Sequence, residues 1–318
     1  MLLVTGATGK VGRALIEALL KGKKWRNKIR VLVRKREEAG RAFGKNVQIA
    51  EADLSSGHDF IAIAEACKGV DEIAHLAALI DYGAPDEKLM RLNYRGTEML
   101  IRAAKLQKKP PKFIFLSSTS IYRGVKEEIV GEKTKPCPLN AYGRSKLLAE
   151  NALKESGIPY IILRSPIVYG KGFTEGFSRV IKMIKRGRMV IIGKGDNPIP
   201  HINIGDLVKA LELCINSKVE NEDFIVASSE RLTQEQMYAI LAKALHVPAP
   251  KLHVPKAVAA RAIEGISAIY RLLGKKPKIF KEYVHTLADR RVFNTAKAQK
   301  MLHFRSSIPL REGVLELL

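Results

Sequence analysis

The sequence predicts an α/β fold: a doubly wound parallel sheet followed by a smaller, mostly helical C-terminal lobe. Three observations carry this reading. Short apolar runs alternate with longer amphipathic stretches through the first half of the chain. A glycine-rich turn joins the first apolar run to the first amphipathic stretch. The alternation gives way after Arg164, and from Thr233 onward the segments are mostly helical in spacing. Short apolar strands separated by helices build βαβ units, whose strands are covered on both faces and so show no polar alternation.

In chain order, strands are predicted at Met1–Val4, Ile29–Val33, Val47–Ala50, Glu72–Leu76, Phe113–Leu116 and Tyr160–Leu163. Val11, Ala14, Leu15, Ala18 and Leu19 recur at helical spacing and set a helix over Val11–Lys21. Lys88–Leu106 carries a Leu/Met/Ile/Ala face, and Leu139–Glu155 contains a further helix. Helices are also predicted at Arg179–Gly187 and Asp206–Asn216, with a late strand at Phe224–Ala227. A helix from Lys256 to Leu273 places Ala259, Ala262, Ile263, Ile266, Ile269, Tyr270 and Leu273 at helical spacing.

The chain has 318 residues, of which 46% are hydrophobic, which excludes a disordered or fibrous protein. Fifty-five Lys and Arg against 32 Asp and Glu leave a net charge of +23, a balance that suits a polyanionic partner or an anionic surface. Basic residues cluster at Lys21–Arg30, Lys105–Lys112, Lys182–Arg188 and Lys275–Lys281. Cys67, Cys137 and Cys214 are odd in number and widely spaced, which fits a reducing compartment. No run reaches the roughly 18 to 20 apolar residues of a membrane span, and Met1 leads straight into a strand, so a cytoplasmic location is expected. The seven histidines show no ligand spacing, and no metal is expected.

Thr5-Gly6-Ala7-Thr8-Gly9-Lys10-Val11-Gly12 lies between the first strand and the first helix. Glycines there let a pyrophosphate approach the backbone, and the helix N-terminus offers free N–H groups and a partial positive charge. This is a dinucleotide site of Rossmann type. The second strand ends in Val33-Arg34-Lys35-Arg36. An acid at Arg34 would hold the ribose hydroxyls of NAD, whereas arginine suits a 2′-phosphate, so NADP is the preferred cofactor and NAD the alternative. Asp53-Leu54 follows the third strand, where Asp53 suits either an adenine-edge contact or a helix N-cap.

Tyr142 and Lys146 are four residues apart at the start of a predicted helix, one turn and therefore one face. A phenol with a pKa near 10 becomes a useful acid/base at neutral pH when an ammonium beside it favours the phenolate. The fifth strand runs into Ser117-Ser118-Thr119-Ser120, at the strand end where parallel sheets place ligands. Ser118 is the expected partner for a reacting oxygen, with Ser117, Thr119 and Ser120 as alternatives.

These motifs, in this order, resemble the extended short-chain dehydrogenase/reductases, and the resemblance covers nearly the whole chain. Thr5–Gly12 is similar to their cofactor loop, which implies cofactor contacts at Gly6, Thr8, Gly9, Lys10, Val11 and Gly12, with Asp53 and Leu54 matching their Asp-Leu pair. His75-Leu76-Ala77-Ala78 resembles the strand end that passes the cofactor, and Asn93, in Leu92–Thr97, the asparagine that supports the active site and stands with the cofactor set. Ser117 and Ser118, Tyr142 and Lys146 match the catalytic and neighbouring positions, so Ser118, Tyr142 and Lys146 are implied to be catalytic. Leu163–Gly170 resembles a segment near the nicotinamide, adding Ser165, Pro166 and Val168; Ser165 stands where proline is common. His201–Leu207 resembles a further family element, with Gly205 in place of an Asp. A homodimer is implied.

The expected organisation is a nucleotide-binding domain over 1–165, with 196–227 returning to it, and a substrate lobe from 166–195 and 228–318. Lining residues are expected from 79–85, 123–139 and 171–178. The C-terminal third, with Asp289–Ala298 and Leu302-His303-Phe304, is similar to the 3β-hydroxysteroid dehydrogenase and dihydroflavonol reductase-like branch. That resemblance implies hydride transfer between nicotinamide and a carbonyl or secondary alcohol of an apolar sterol-, isoprenoid- or flavonoid-like substrate. The alternatives are a nucleotide-sugar epimerase with tightly bound NAD, against which Arg34 argues, and a non-catalytic NADP-binding regulator, against which Ser118, Tyr142 and Lys146 argue. Thr119 and Ser120 stand where dehydratases carry an Asp-Glu pair. The basic flanks of the Lys256–Leu273 helix suit peripheral contact with an anionic membrane; packing of its stripe on the lobe core is the competing reading. A nucleic-acid partner is not expected.

Overall fold

The computed structural model describes residues 1–81, 83–173, 177–274, 284 and 287–317. The basic run Lys275–Lys281, His285 and parts of the expected lining segments, at 82 and 174–176, lie outside them. Seven strands form one parallel sheet: β1 (Leu2–Thr5), β2 (Ile29–Val33), β3 (Gln48–Glu51), β4 (Glu72–His75), β5 (Lys112–Ser118), β7 (Tyr160–Ser165) and β11 (Glu222–Ile225). Their spatial order is β11-β7-β5-β4-β1-β2-β3. Val4 sits opposite Val31 on one side and Ala74 on the other, so the first strand lies inside the sheet, next to the middle strand β4.

The apolar runs divide by alternation, each strand feeding two cores. Leu2, Val4, Val31, Ile114, Ile161 and Leu163 point to one face, against Leu15, Ile16 and Leu19 of α1 (Lys10–Lys21) and Leu207, Leu211 and Cys214 of α8 (Ile204–Asn216). Leu3, Leu32, Phe113, Phe115 and Ile162 point to the other, against α3 (Phe60–Ala66), α5 (Gly96–Lys105) and α6 (Ala141–Lys154). The inner strands are buried on both faces, which is why no polar alternation marks them in the sequence, whereas the edge strand β3 leaves Gln48 and Glu51 exposed.

Two helices escaped the sequence reading, α2 (Arg36–Phe43) and α3. Both are short, and α2 buries only Ala39 and Phe43, so neither carries a long enough stripe to register. The single helix expected over Lys88–Leu106 is three pieces: α4 (Asp86–Met90), a π-helical turn over Arg91–Arg95, and α5. Short strands that pair only at long range were also unseen: β6 (Ile129–Val130) with β13 (Val292–Phe293), β8 (Ile167–Tyr169) with β10 (His201–Asn203), and β9 (Ile191–Ile192) with β12 (His253–Val254).

A third core joins Phe177, Ile181 and Ile184 of α7 (Phe177–Lys185) to Met237, Tyr238 and Leu241 of α9 (Gln234–Ala244) and Leu310 of α12 (Leu310–Gly313). Beside it runs α10 (Lys256–Leu272). Its apolar residues split into two stripes. Ala259 is buried, and Ile263 and Tyr270 are half-buried, while Ala262, Ile266 and Ile269 are exposed. Between α10 and the C-terminus, α11 (Ala296–Leu302) returns to the sheet, where Ala298 and Leu302 join the α1–α8 core.

Candidate active site

The site lies at the carboxyl ends of the parallel strands, starting from the loop between β1 and α1. Gly6 adopts φ +67°, and a Cβ there would stand 2.6 Å from the backbone nitrogen of Ala77. Only glycine gives both the left-handed backbone and the close approach to the end of β4. Gly9 is the N-cap of α1 without a side-chain cap, and no acid occupies its first turn. The N–H groups at this helix end are therefore left to a ligand. The loop fits a dinucleotide pyrophosphate: backbone donors, room for close approach and no competing carboxylate.

The next strand end is fixed by a buried chain of hydrogen bonds. Ala77 N donates to Thr5 Oγ1 at 3.3 Å, and Thr5 Oγ1 lies 2.6 Å from His75 Nδ1. His75 Nε2 lies 2.9 Å from Thr97 Oγ1, which itself donates to Asn93 O at 2.7 Å. Since Thr97 spends its proton on a carbonyl, it accepts from Nε2–H, and Nδ1 accepts from Thr5. Burial, with the Lys146 charge behind it, holds His75 down to about 3, so the ring stays neutral. The asparagine completes the frame. Asn93 Oδ1 accepts from Leu79 N at 2.7 Å, and its Nδ2 donates to Leu79 O and Ser145 Oγ. The π turn that carries Asn93 ties the loop after β4 to α6; such turns often occur where a helix side chain must be re-aimed.

Tyr142 and Lys146 stand one turn apart on α6, both buried. Asn140 caps the helix by accepting from Gly143 N at 2.7 Å. A Cβ on Gly143 would lie 2.7 Å from Ser120 O, so glycine lets the helix start press against the turn that leaves β5. Lys146 Nζ donates to Leu116 O at 2.7 Å and sits 4.5 Å from the Phe115 ring centroid. Burial pushes its ammonium down to about 7, opposed by the Glu150 carboxylate. Ser118 Oγ accepts from Ser120 N at 3.1 Å and lies half-buried at the strand end. A hydroxyl, a phenol and an ammonium on one wall can hold an oxygen, exchange its proton and favour the phenolate.

Beneath this wall lies an ionic cluster that the sequence reading missed. Glu150, one turn beyond Lys146, accepts from Ser117 Oγ at 2.5 Å and from Arg164 Nη2 at 2.7 Å. Arg164 also donates to Tyr122 OH at 2.6 Å and pairs with Asp223. Burial works against the Arg164 charge, but Glu150 more than offsets it and holds the guanidinium above its ordinary value. The signal was present as the four-residue period of Tyr142, Lys146 and Glu150, but nothing local said where the carboxylate would find its partner.

A cavity of about 1630 Å³ links these parts. Gly6, Gly9, Lys10, Val11, Gly12, Leu76, Ala78, Ser117, Ser118, Tyr142, Lys146, Ser165, Pro166 and Val168 all line it. Other residues of the expected set do not. Asn93 is sealed off with its side chain committed to Leu79 and Ser145, a supporting and not a contacting position. Leu54 is core, and Asp53 turns Oδ1 onto Ser55 N at 2.8 Å; neither lines the cavity. Ser117 gives its proton to Glu150, which leaves Ser118 as the strand-end hydroxyl turned to the turn and cavity. Thr8 and Ala77 frame the loop from behind, Thr8 O accepting from Arg13 Nε at 3.0 Å. Arg34 is exposed beyond the cavity, and Arg36 lies 3.9 Å from Glu51. Of the expected lining segments, Leu79, Ile80, Asp81, Gly83, Ala84, Pro85, Arg123, Phe173 and Phe177 contribute.

With the geometry in place, the sequence matches the family model described as the NAD dependent epimerase/dehydratase family over residues 2–227. The chain belongs to this family. As a member of the NAD-dependent epimerase/dehydratases it is an extended short-chain dehydrogenase/reductase, and its relatives include both kinds of chemistry. A UDP-glucose 4-epimerase from Vibrio cholerae is 28% identical over 80% of this chain and 78% of that protein. A 3-beta-hydroxysteroid dehydrogenase from Mycolicibacterium neoaurum is 24% identical over 99% of this chain and 90% of that protein. A UDP-glucuronic acid 4-epimerase from Bacillus cereus, solved in complex with NAD, superposes with a TM-score of 0.77 at 22% identity, covering 99% of this chain and 96% of that one. The epimerase/dehydratase fold and a nicotinamide cofactor follow. Among the described residues no helix is long and apolar enough to cross a membrane.

Proposed function

We propose that the protein is a nucleotide-sugar epimerase that oxidises a secondary alcohol and returns the hydride to the opposite face. The observation that carries this reading is the cavity itself: besides Ser118 and Tyr142 its lining includes Lys88, Arg123, Arg179 and Arg291 against Asp81, Glu264 and Asp289, an excess of cations suited to a phosphorylated substrate. The Vibrio cholerae relative supports the same class. This replaces the apolar-substrate reading as the first choice. That second reading keeps one observation in its favour, the apolar lining from Ile80, Val180, Met237 and Ile263.

In the proposed cycle the bound nicotinamide supplies the hydride acceptor and then the donor. Ser118 Oγ holds the alcohol oxygen. Tyr142 accepts the hydroxyl proton as the C–H hydride leaves, and gives it back after the ketone has turned over. Lys146, fixed on Leu116 O, favours the phenolate by its positive charge. A return of hydride within one active site consumes no cofactor, which supports tightly held NAD. Arg34, exposed at the end of β2, supports acceptance of NADP as well.

The test is incubation with UDP-glucose and UDP-galactose, with the sugars separated after the reaction. Interconversion without net NADH formation is expected, and a Tyr142→Phe variant should lose about 10²- to 10⁴-fold in turnover while still binding NADH. Stoichiometric NADH or NADPH production from a sterol-type alcohol, with no interconversion, would establish the second reading instead. Fluorescence titration with NADH and NADPH settles the cofactor: Arg34→Ala should weaken NADPH alone.

A further inference from the structure

Arg291 is a buried charge in the cavity wall with unpaired donors. Its residue is 7% exposed, and it lines the cavity between Asp289 and Phe293. Nη2 pairs with Asp289, but Nε and Nη1 are buried and have no hydrogen-bond partner among the described residues. A buried guanidinium with one carboxylate on one nitrogen leaves most of its desolvation uncompensated. A second cation worsens the balance. Arg123 lines the same cavity and, after burial itself, is what lowers Arg291 to about 10. The unpaired Nε–H and Nη1–H of Arg291 are donors for an anion entering the cavity, and the Arg123 charge adds to its attraction.

We propose that Arg291 and Arg123 form an oxoanion subsite that receives a carboxylate or phosphate carried by the substrate. Chain connectivity puts this subsite on the Ser118 side of the cavity. Arg123 caps the turn Thr119–Tyr122 that begins at Ser118, and β13, which follows Arg291, pairs with β6. The subsite rests on the reading of the cavity as a nucleotide-sugar site, and it narrows that reading to substrates whose acidic group lies near the reacting carbon or whose diphosphate folds back toward it.

Calorimetric titration of the NAD-loaded protein with UDP-glucose and UDP-glucuronic acid tests it, in wild type, Arg291→Gln and Arg123→Gln. If the subsite takes a sugar carboxylate, wild type binds UDP-glucuronic acid at least tenfold more tightly than UDP-glucose, and both variants erase that preference. If it takes the diphosphate, both variants weaken both ligands by tenfold or more. Unchanged affinities in variants that melt as wild type overturn the subsite and leave the nucleotide-sugar reading standing. If neither nucleotide binds wild type, that reading fails by itself. Inorganic phosphate and glucuronate then probe the subsite directly: stabilisation of wild type but not of Arg291→Gln upholds it, and equal melting shifts overturn it.

A different observation carries a second inference. Val258, Ile266, Ile269, Leu272 and Leu273 are 54%, 45%, 56%, 86% and 65% exposed. On a 3.6-residue turn they fall on one side of α10, the stripe opposite Ala259, Ile263 and Ser267. Exposed Lys256 and Arg261 lie on the same helix, and the chain as a whole carries +23. We infer that this face rests on an anionic lipid surface, apolar side chains inward and basic residues at the headgroups. Co-sedimentation with phosphatidylglycerol vesicles but not phosphatidylcholine vesicles is expected, and Ile266→Glu/Ile269→Glu should abolish it. Absence of vesicle binding, or a double variant that binds as well as wild type, overturns the inference. So does a wild-type dimer that the double variant splits without any vesicle binding, which would assign the face to a second copy.

Discussion

Replacing Lys146 by methionine should make the nucleotide-free protein more stable near pH 6.5 and less stable near pH 10.5. The reasoning starts from burial, which lowers the Lys146 ammonium from 10.5 to about 7. Between those values the unfolded chain binds a proton that the folded chain does not, so wild-type stability rises with pH across that window. Below about pH 7 both states are protonated and the full burial penalty is present. Roughly three and a half pH units at about 1.4 kcal/mol each amount to about 5 kcal/mol. Methionine removes that penalty but cannot donate to Leu116 O, 2.7 Å away in wild type, and an orphaned buried carbonyl costs about 1–3 kcal/mol at any pH. The variant should therefore gain about 2–4 kcal/mol at pH 6.5 and lose about 1–3 kcal/mol at pH 10.5. Urea denaturation of both proteins across that range measures the difference, from which other titrating groups largely cancel. A difference that stays flat within about 0.5 kcal/mol would refute a depressed lysine.

The neighbouring positions give three more expectations. Ser118→Ala should reduce kcat by about 10²-fold with little change in melting, whereas Ser117→Ala, which strips a 2.5 Å bond from buried Glu150, should cost about 1–3 kcal/mol of stability. Arg164→Met leaves Glu150 buried without its partner and should destabilise by about 3–5 kcal/mol in denaturant titration; a neutral result would mean the cluster is hydrated. Gly143→Ala would gain about 0.5–1 kcal/mol from helix propensity alone, but its Cβ would meet Ser120 O at 2.7 Å, so lower stability and a slower kcat are expected together.

The seven-strand sheet was legible because its short apolar runs alternate with amphipathic helices, and the glycine loop because glycine leaves a spacing that backbone geometry demands. The rest of the cavity-lining set from Gly6 to Val168 was legible through motifs that resemble those of the family. Arg34 was placed by spacing and Asp53 and Leu54 also by the family resemblance, and neither says which way a side chain turns: Arg34 is exposed, Asp53 bonds Ser55 and Leu54 lies in the core. The apolar stripe of α10 read as one face, yet tertiary packing takes Ala259 and leaves Ile266 and Ile269 outside.

By itself the sequence determined the parallel α/β sheet, the dinucleotide loop and the Ser118, Tyr142 and Lys146 order, because each is written in residues close along the chain. Tertiary structure decided what those residues face. It set the tautomer of His75 through Thr5 and Thr97, paired Glu150 with Arg164 across 14 residues, and brought Arg291 into the wall that also carries Arg123. Contacts of that kind depend on which elements the folded chain lays side by side, and desolvation, which shifts Lys146, His75 and Arg291 from their ordinary values, exists only once the chain has closed around them.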